Sequence, residues 1–381
     1  MRILIAGGGT GGHVYPGLAV ARSLLERRVG LELRWLGGRR GIEQQVVPRE
    51  GLRLTRLLLR SLRTVDVSVG AALDPVRLAL SFPQALALLL GWRPAAIFTT
   101  GGYVALPVAV TGAALRIPIV LWEGNVVPGR STRAISRLAT CIAVSFAPTR
   151  ALLRGRCYVS GTPIRDLAQV DRLAARDHFE VPADDRCVLI FGGSQAVRRF
   201  DLALDQALPE LVERAVVLHV TGEAGYPAAL ARRDALPEER RGRYRPYPFL
   251  REEMADALAA ADLVVGRAGS STLAEVTALG TPLVVVPYPH AAGHQDANAR
   301  LLAESGAALV IPDEEFDGRA LLEAAGILRD PARHARMSAA SRAAGRPRAA
   351  AAVAELVLAL AERRELPAAE VLERVSREAA P

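Results

Sequence analysis

Gly7-Gly8-Gly9-Thr10-Gly11-Gly12-His13-Val14-Tyr15-Pro16-Gly17 follows a short apolar run, Ile3 to Ala6, and leads into residues 18–25, where apolar side chains recur at helical spacing. Pro16 stands where that helix is expected to open, since a first-turn residue has no use for its N–H. A strand, a glycine loop and a helix start, in that order, make an anion site. The glycines let the main chain approach a ligand, and free N–H groups with the helix dipole favour negative charge. His13, at the lip of the loop, adds a base whose unperturbed pKa is about 6.5. Six glycines within eleven residues would waste backbone entropy in a turn that meets nothing, so the stretch reads as a ligand loop.

Gly7, Gly9 and Gly12 also satisfy G-x-G-x-x-G, the dinucleotide fingerprint. A nicotinamide site wants Asp or Glu at the end of the second strand, to hold a ribose. Here the strand expected at 31–36 runs into Gly37-Gly38-Arg39-Arg40. NAD is disfavoured, and NADP stays open on the two arginines.

The chain has 381 residues, half of them hydrophobic, and a formal charge of +8 carried by arginine without lysine. That length suggests two domains with full cores, and the basic excess suggests an anionic partner. Nucleic acid is the weakest choice, because aromatic residues make up only 5% and no basic block interleaves with them. Cys141, Cys157 and Cys187 are odd in number and lack metal spacing, as expected of a reduced cytosolic chain. The N-terminus enters a strand at once, so no signal peptide is expected. Residues 94–115 carry enough uncharged length to span a bilayer. Thr99-Thr100-Gly101-Gly102, Pro107 and Gly112 break the run into strand, loop and helix, so no transmembrane helix is expected there.

Strands are expected near 2–6, 31–36, 52–58, 96–99, 117–121 and 140–144, with helices between them. After a hinge at Gly161-Thr162-Pro163-Ile164-Arg165 the plan repeats at 187–191, 216–220, 244–247, 262–266, 282–286 and 307–310. The fold class expected is α/β: two facing, doubly wound parallel-sheet domains, 1–160 and 161–346. A helical tail, 347–381, is expected to pack across them. In such sheets ligands meet the loops after strands. Besides 7–13, these are Thr100-Gly101-Gly102-Tyr103, Trp122-Glu123-Gly124-Asn125 and Gly192-Gly193-Ser194-Gln195.

Residues 76–93 are nearly all apolar, with arginine at both ends and Pro83 inside. Two readings stay open: a helix buried against the sheet, or an exposed patch over Leu78–Trp92 that dips into an anionic membrane surface.

Arg267-Ala268-Gly269-Ser270-Ser271-Thr272-Leu273-Ala274-Glu275 follows a strand and opens a helix. Thr272-x-x-Glu275 is a capping box, yet the same helix start could meet a phosphate through residues 270–273 while Glu275 holds a ribose. His290 and His294 are four apart, but no carboxylate is placed as in H-E-x-x-H, so zinc is rejected and no metal is expected. The amides Gln295 and Asn298 suit sugar hydroxyls better.

GGTGGHVYPG at 8–17, GGY at 101–103, EGN at 123–125, GTPIR at 161–165, GGSQ at 192–195, the RAGSSTLAE run and PHAAGHQDANA at 289–299 together resemble, in order and spacing, the MurG family of GT-B glycosyltransferases. The resemblance covers about residues 3–345. It implies two Rossmann-like domains with a C-terminal crossover helix, and inverting transfer of GlcNAc from UDP-GlcNAc to the MurNAc 4-hydroxyl of undecaprenyl-pyrophosphoryl-MurNAc-pentapeptide. It also implies peripheral attachment to the cytoplasmic face of the plasma membrane. Thr10, Gly11, Gly12 and Asn125 would then lie near donor sugar and acceptor, with His13 as base and Glu123 as fallback. Arg165, Ser194, Leu250, Ser270, Ser271, Thr272 and Leu273 would hold UDP, Glu275 its ribose, and Gln295 the GlcNAc hydroxyls. The family pattern is departed from at Gly124, Thr162, Ala196 and Asp201. Two related activities share the fold: transfer to another lipid, and UDP-GlcNAc 2-epimerisation.

Overall fold

The structure, a computed structural model, describes residues 1–59, 73–192, 197–289 and 293–378. It divides into two compact units, 1–166 with 346–381, and 167–345.

In the first unit the strands are β1 (Arg2–Ala6), β2 (Glu32–Gly37), β3 (Arg53–Arg56), β4 (Ala96–Thr99), β5 (Ile119–Glu123), β6 (Cys141–Val144) and β7 (Cys157–Val159). They form one parallel sheet in the order β3-β2-β1-β4-β5-β6-β7, with Ile5 opposite Trp35 on one side and Phe98 on the other. Parallel strands need crossovers, and the helices that supply them cover both faces, so strands such as β1, β4 and β5 are apolar on both sides. Ile3 and Ile5 face one cluster with Val14, Leu18 and Trp35. Leu4 and Ala6 face the other, with Ala85, Leu89 and Val108. Residues 94–115 resolve into β4, a glycine loop and the helix Ala105–Ala114, all largely buried. β7 is the strand that the sequence pattern misses; three residues at a sheet edge are too few to show a period.

The tail expected at 347–381 to pack across both domains belongs by its contacts, together with Arg346, to this first unit. The helix Ala349–Ala361 buries Val353, Leu356 and Val357 against the Ile3–Ile5 face. Arg346 anchors its start by donating to Glu373 Oε1 at 2.7 Å and to Ser376 Oγ at 2.9 Å.

The second unit repeats the plan with β8 (Cys187–Phe191), β9 (Val216–Val220), β10 (Tyr244–Tyr247), β11 (Leu263–Gly266), β12 (Leu283–Val285) and β13 (Ala308–Val310). The order is β10-β9-β8-β11-β12-β13, again parallel. Its core centres on Val188, Ile190, Leu204, Leu211 and Val265. Each sheet reverses its winding once, at β1/β4 and at β8/β11. Crevices for ligands open at such switch points, outside the carboxyl ends of the strands. The two-domain Rossmann-like expectation is borne out.

Candidate active site

In the first unit the switch point is built by the loops after β1 and β4. The helix after β1 runs Gly11–Arg27, opening earlier than Pro16 suggests, so His13 stands in its first turn and Pro16 inside the helix. Proline has no N–H for the carbonyl four residues back, and that carbonyl belongs to exposed Gly12, where water can take its place. Thr10 is the N-cap in extended conformation, and no side chain caps the helix.

Four contacts grip the glycine loop from below. Trp35 Nε1 donates to Gly7 O at 2.8 Å, Gly7 N donates to Leu36 O, and Gly9 N donates to Glu43 Oε2 at 2.8 Å. His13 Nδ1 lies 2.8 Å from Thr100 O. A carbonyl oxygen only accepts, so Nδ1 carries a proton, and in the neutral form of the ring the lone pair is then on Nε2. That hydrogen bond joins the β1 loop to the β4 loop across the switch point. The β4 loop turns on Gly101 and Gly102, with φ of 82° and 79°. A Cβ at Gly102 would meet His13 Nε2 at an ordinary contact distance of 3.7 Å, so it is the positive φ, more than the space, that calls for glycine there.

Glu123, at the end of β5, is buried. Its Oε1 accepts both Asn125 N at 2.9 Å and Asn125 Nδ2 at 3.2 Å, while Thr149 Oγ1 donates to Asn125 O. This carboxylate is engaged in shaping the Asn125 turn, which fits it poorly for the fallback role of base. Arg165 is half-buried near the end of the first unit. Thr162, a departure from the family pattern, shares a hydrogen bond with Ser145 Oγ at 2.7 Å.

In the second unit residues 193–196, which follow β8 in the chain, lie outside the described residues, Ser194 and Ala196 among them. The loop after β11 leads to the helix Ser270–Leu279, whose N-cap is extended Gly269 with no side-chain cap. Thr272 therefore sits within the first turn, and the capping-box reading is not realised. Ser270, Thr272 and Leu273 are buried, with Ser271 and Glu275 half-buried beside them. First-turn N–H groups lack carbonyls within their own helix, so an uncapped start is suited to an anion. Leu250 is buried just beyond β10.

This helix start is held from behind by residues whose roles the sequence only partly suggests. Gln295 Oε1 accepts Ala268 N at 3.1 Å and Tyr288 N at 2.9 Å, which orients the side-chain amide against the loop. Asn298 is fully buried and donates to Ala268 O at 3.2 Å, so it is a strut and not the sugar ligand its type suggests. Arg267 donates to Val286 O, Pro287 O and Asp313, and its guanidinium lies over the rings of Phe200 and Tyr288. Asp201, where the family pattern has Asn, is 3.5 Å from Arg232, and burial raises its pKa against that cation.

Among the described residues no group of three or more His, Cys, Asp or Glu is placed to hold a metal ion. Cys141, Cys157 and Cys187 are unpaired, and burial pushes the thiols of Cys141 and Cys187 up to about 12.

Comparison with known proteins matches residues 3–144 to the glycosyltransferase family 28 N-terminal domain and residues 187–353 to the family 28 C-terminal domain. A relative from Moorella thermoacetica, UDP-N-acetylglucosamine–N-acetylmuramyl-(pentapeptide) pyrophosphoryl-undecaprenol N-acetylglucosamine transferase, is 39% identical over 95% of this chain and 100% of its own. The crystal structure of Acinetobacter baumannii MurG matches with a TM-score of 0.75 at 28% identity, covering 94% of this chain and 99% of that one. A UDP-N-acetylglucosamine 2-epimerase from Listeria monocytogenes matches with a TM-score of 0.65 over 96% of this chain and 98% of its own. At 13% identity, that likeness is one of fold alone.

Proposed function

The chain belongs to the MurG transferases of glycosyltransferase family 28, and on that premise we propose that it moves GlcNAc from UDP-GlcNAc to the MurNAc 4-hydroxyl of undecaprenyl-pyrophosphoryl-MurNAc-pentapeptide. In this reaction the acceptor oxygen bonds to C1 of GlcNAc, the bond from C1 to the UDP oxygen breaks, and the anomeric configuration inverts. The step needs a base for the hydroxyl proton and positive potential for the departing diphosphate.

One observation carries the reading. The Thr100 carbonyl holds His13 Nδ1–H at the first unit's switch point, which fixes the tautomer whose Nε2 can take a proton. His13 is the base, and Glu123 orders Asn125 beside the acceptor. Thr10, Gly11 and Gly12 line the same loop. In the second unit the N–H groups of Ser270, Ser271 and Thr272 meet the diphosphate (that of Leu273 already donates to Gly269 O at 3.0 Å), Leu250 packs on the nucleotide, Glu275 accepts the ribose hydroxyls, and Gln295 Nε2 donates to GlcNAc. Arg165 and Ser194 add polar contacts to UDP. Oriented N–H groups and a guanidinium supply the potential that the leaving group needs, so the step calls for no metal.

The acceptor is a lipid, and the helix Asp74–Trp92 offers a surface for it. By length and composition this helix could cross a membrane, but only 22% of its apolar window is buried in the protein. Ser81, Ala85, Leu89 and Trp92 pack inward, while Val76, Leu80 and Leu90 are each about half exposed. That outer face rests on the cytoplasmic leaflet, with Arg93 at its edge, and attaches the enzyme peripherally.

Incubation with radiolabelled UDP-GlcNAc and a short-chain lipid acceptor tests the assignment. Label should enter the lipid-linked disaccharide only with the MurNAc-pentapeptide lipid. Label in a diacylglycerol product, or conversion of UDP-GlcNAc to its 2-epimer without acceptor, would replace this reading by its neighbours.

A further inference from the structure

Glu43 opens the short helix Glu43–Arg49 and is fully buried. Its Oε2 accepts Gly9 N at 2.8 Å and its Oε1 accepts Gly38 N at 3.1 Å, and the neighbouring Gln44 donates to Gly38 O. One carboxylate thus ties the loop after β1 to the loop after β2. Burying a charge is costly unless hydrogen bonds repay it, and charge-assisted N–H bonds repay it best. Glycines clear the space. A Cβ at Gly8 would stand 2.5 Å from Glu43 Oε1, one at Gly37 2.8 Å from its Cγ, and Gly41, at φ 151°, abuts Oε2. The chain surrenders side chains and backbone order around this one group, which a simple loop brace between two strands does not call for.

Position explains the cost. Gly9 is the last residue before the N-cap Thr10, and His13 N donates to Thr10 O at 3.1 Å. We propose that Glu43 is a positioning residue for the reaction assigned above: by fixing the Gly9 amide from below, it sets where the helix opens and where His13 Nε2 stands. The inference rests on that assignment for its catalytic part and on geometry alone for the loop.

Glu43→Gln keeps the shape but turns one acceptor into a donor facing a main-chain N–H. With its fold intact, the variant should lose roughly 10- to 100-fold in kcat, the scale of a small misplacement of a reacting group. Its KM for UDP-GlcNAc should stay unchanged, and amide exchange across residues 7–13 should quicken. If Glu43→Gln is insoluble, Glu43→Asp, which withdraws both oxygens by one methylene, gives the same two readouts. Faster exchange with kcat within twofold of wild type would overturn the catalytic role. Unchanged exchange at 7–13 would overturn the positioning itself. Should the wild-type protein transfer no GlcNAc, the functional assignment fails, and the exchange measurement still decides whether Glu43 holds the loop.

Discussion

His13 joins two requirements in one side chain, since it stands in the first turn of the glycine-loop helix and its Nδ1–H is committed to Thr100 O. Removing a general base costs roughly 10²–10⁴-fold in rate. His13→Ala should lower kcat by that order, and the acidic limb of the kcat/KM profile, where wild-type rate falls as the imidazole takes a proton, should vanish. Glu123→Gln is the control: its Oε1 can still accept from Asn125, so most of the rate and the whole limb should survive. Loss of the limb in Glu123→Gln, with retention in His13→Ala, would exchange their roles. His13 is legible in the sequence because glycines announce the loop around it. Glu43 is not, since nothing in a lone Glu says that it turns inward, although Gly37-Gly38 and Gly41 mark a crowded spot with no ligand to explain it. Asn298 misleads for the opposite reason, as its residue type fits a sugar and only burial shows that it braces Ala268.

At the scale of elements, the alternation of strand and helix is plain in the sequence because each strand of a doubly wound sheet is a short apolar run between loops. Helix starts are less plain. Pro16 and the Thr272–Glu275 pair each fit an opening turn by composition, whereas the helices begin earlier, at Gly11 and Ser270, where uncapped N–H groups face the strand ends. The helix Asp74–Trp92 defeats composition altogether, because it is apolar all round and only packing separates its faces. Leu89, 1% exposed, belongs to the core, and Leu80 and Leu90, each 51% exposed, do not. The double variant Leu80→Asp/Leu90→Asp should keep its melting temperature and lose most of its binding to anionic vesicles in a sedimentation assay. Leu89→Asp should unfold the first unit instead, since it buries an unpaired charge. Vesicle binding unaffected by the double variant would place the membrane surface elsewhere.

At the scale of the molecule, one winding plan appears twice, and the chemistry sits at each switch point. Stability need not be shared equally between the copies. In the second unit His219 on β9 is buried, with Nδ1 2.9 Å from Tyr244 Oη, which also accepts from Arg232. Burial, and then the nearby Arg232, lower the His219 pKa from 6.5 to about 3. The unfolded chain therefore takes up a proton that the folded unit refuses. This contribution to stability is present in full above the unfolded pKa of 6.5 and is lost as pH falls toward 3. Urea midpoints followed over that range should drop more steeply for wild type than for His219→Gln, and equal slopes would remove His219 from the account. The central claim is a division of labour, with donor binding mainly in the second unit and proton transfer in the first. Calorimetric titration of UDP into His13→Ala and Glu275→Ala tests it most directly. His13→Ala should bind UDP as wild type does. Glu275→Ala should bind it more weakly by about 1.5–3 kcal/mol, the value of a hydrogen bond to a charged group. Equal weakening in both variants, or full affinity in Glu275→Ala, would contradict it.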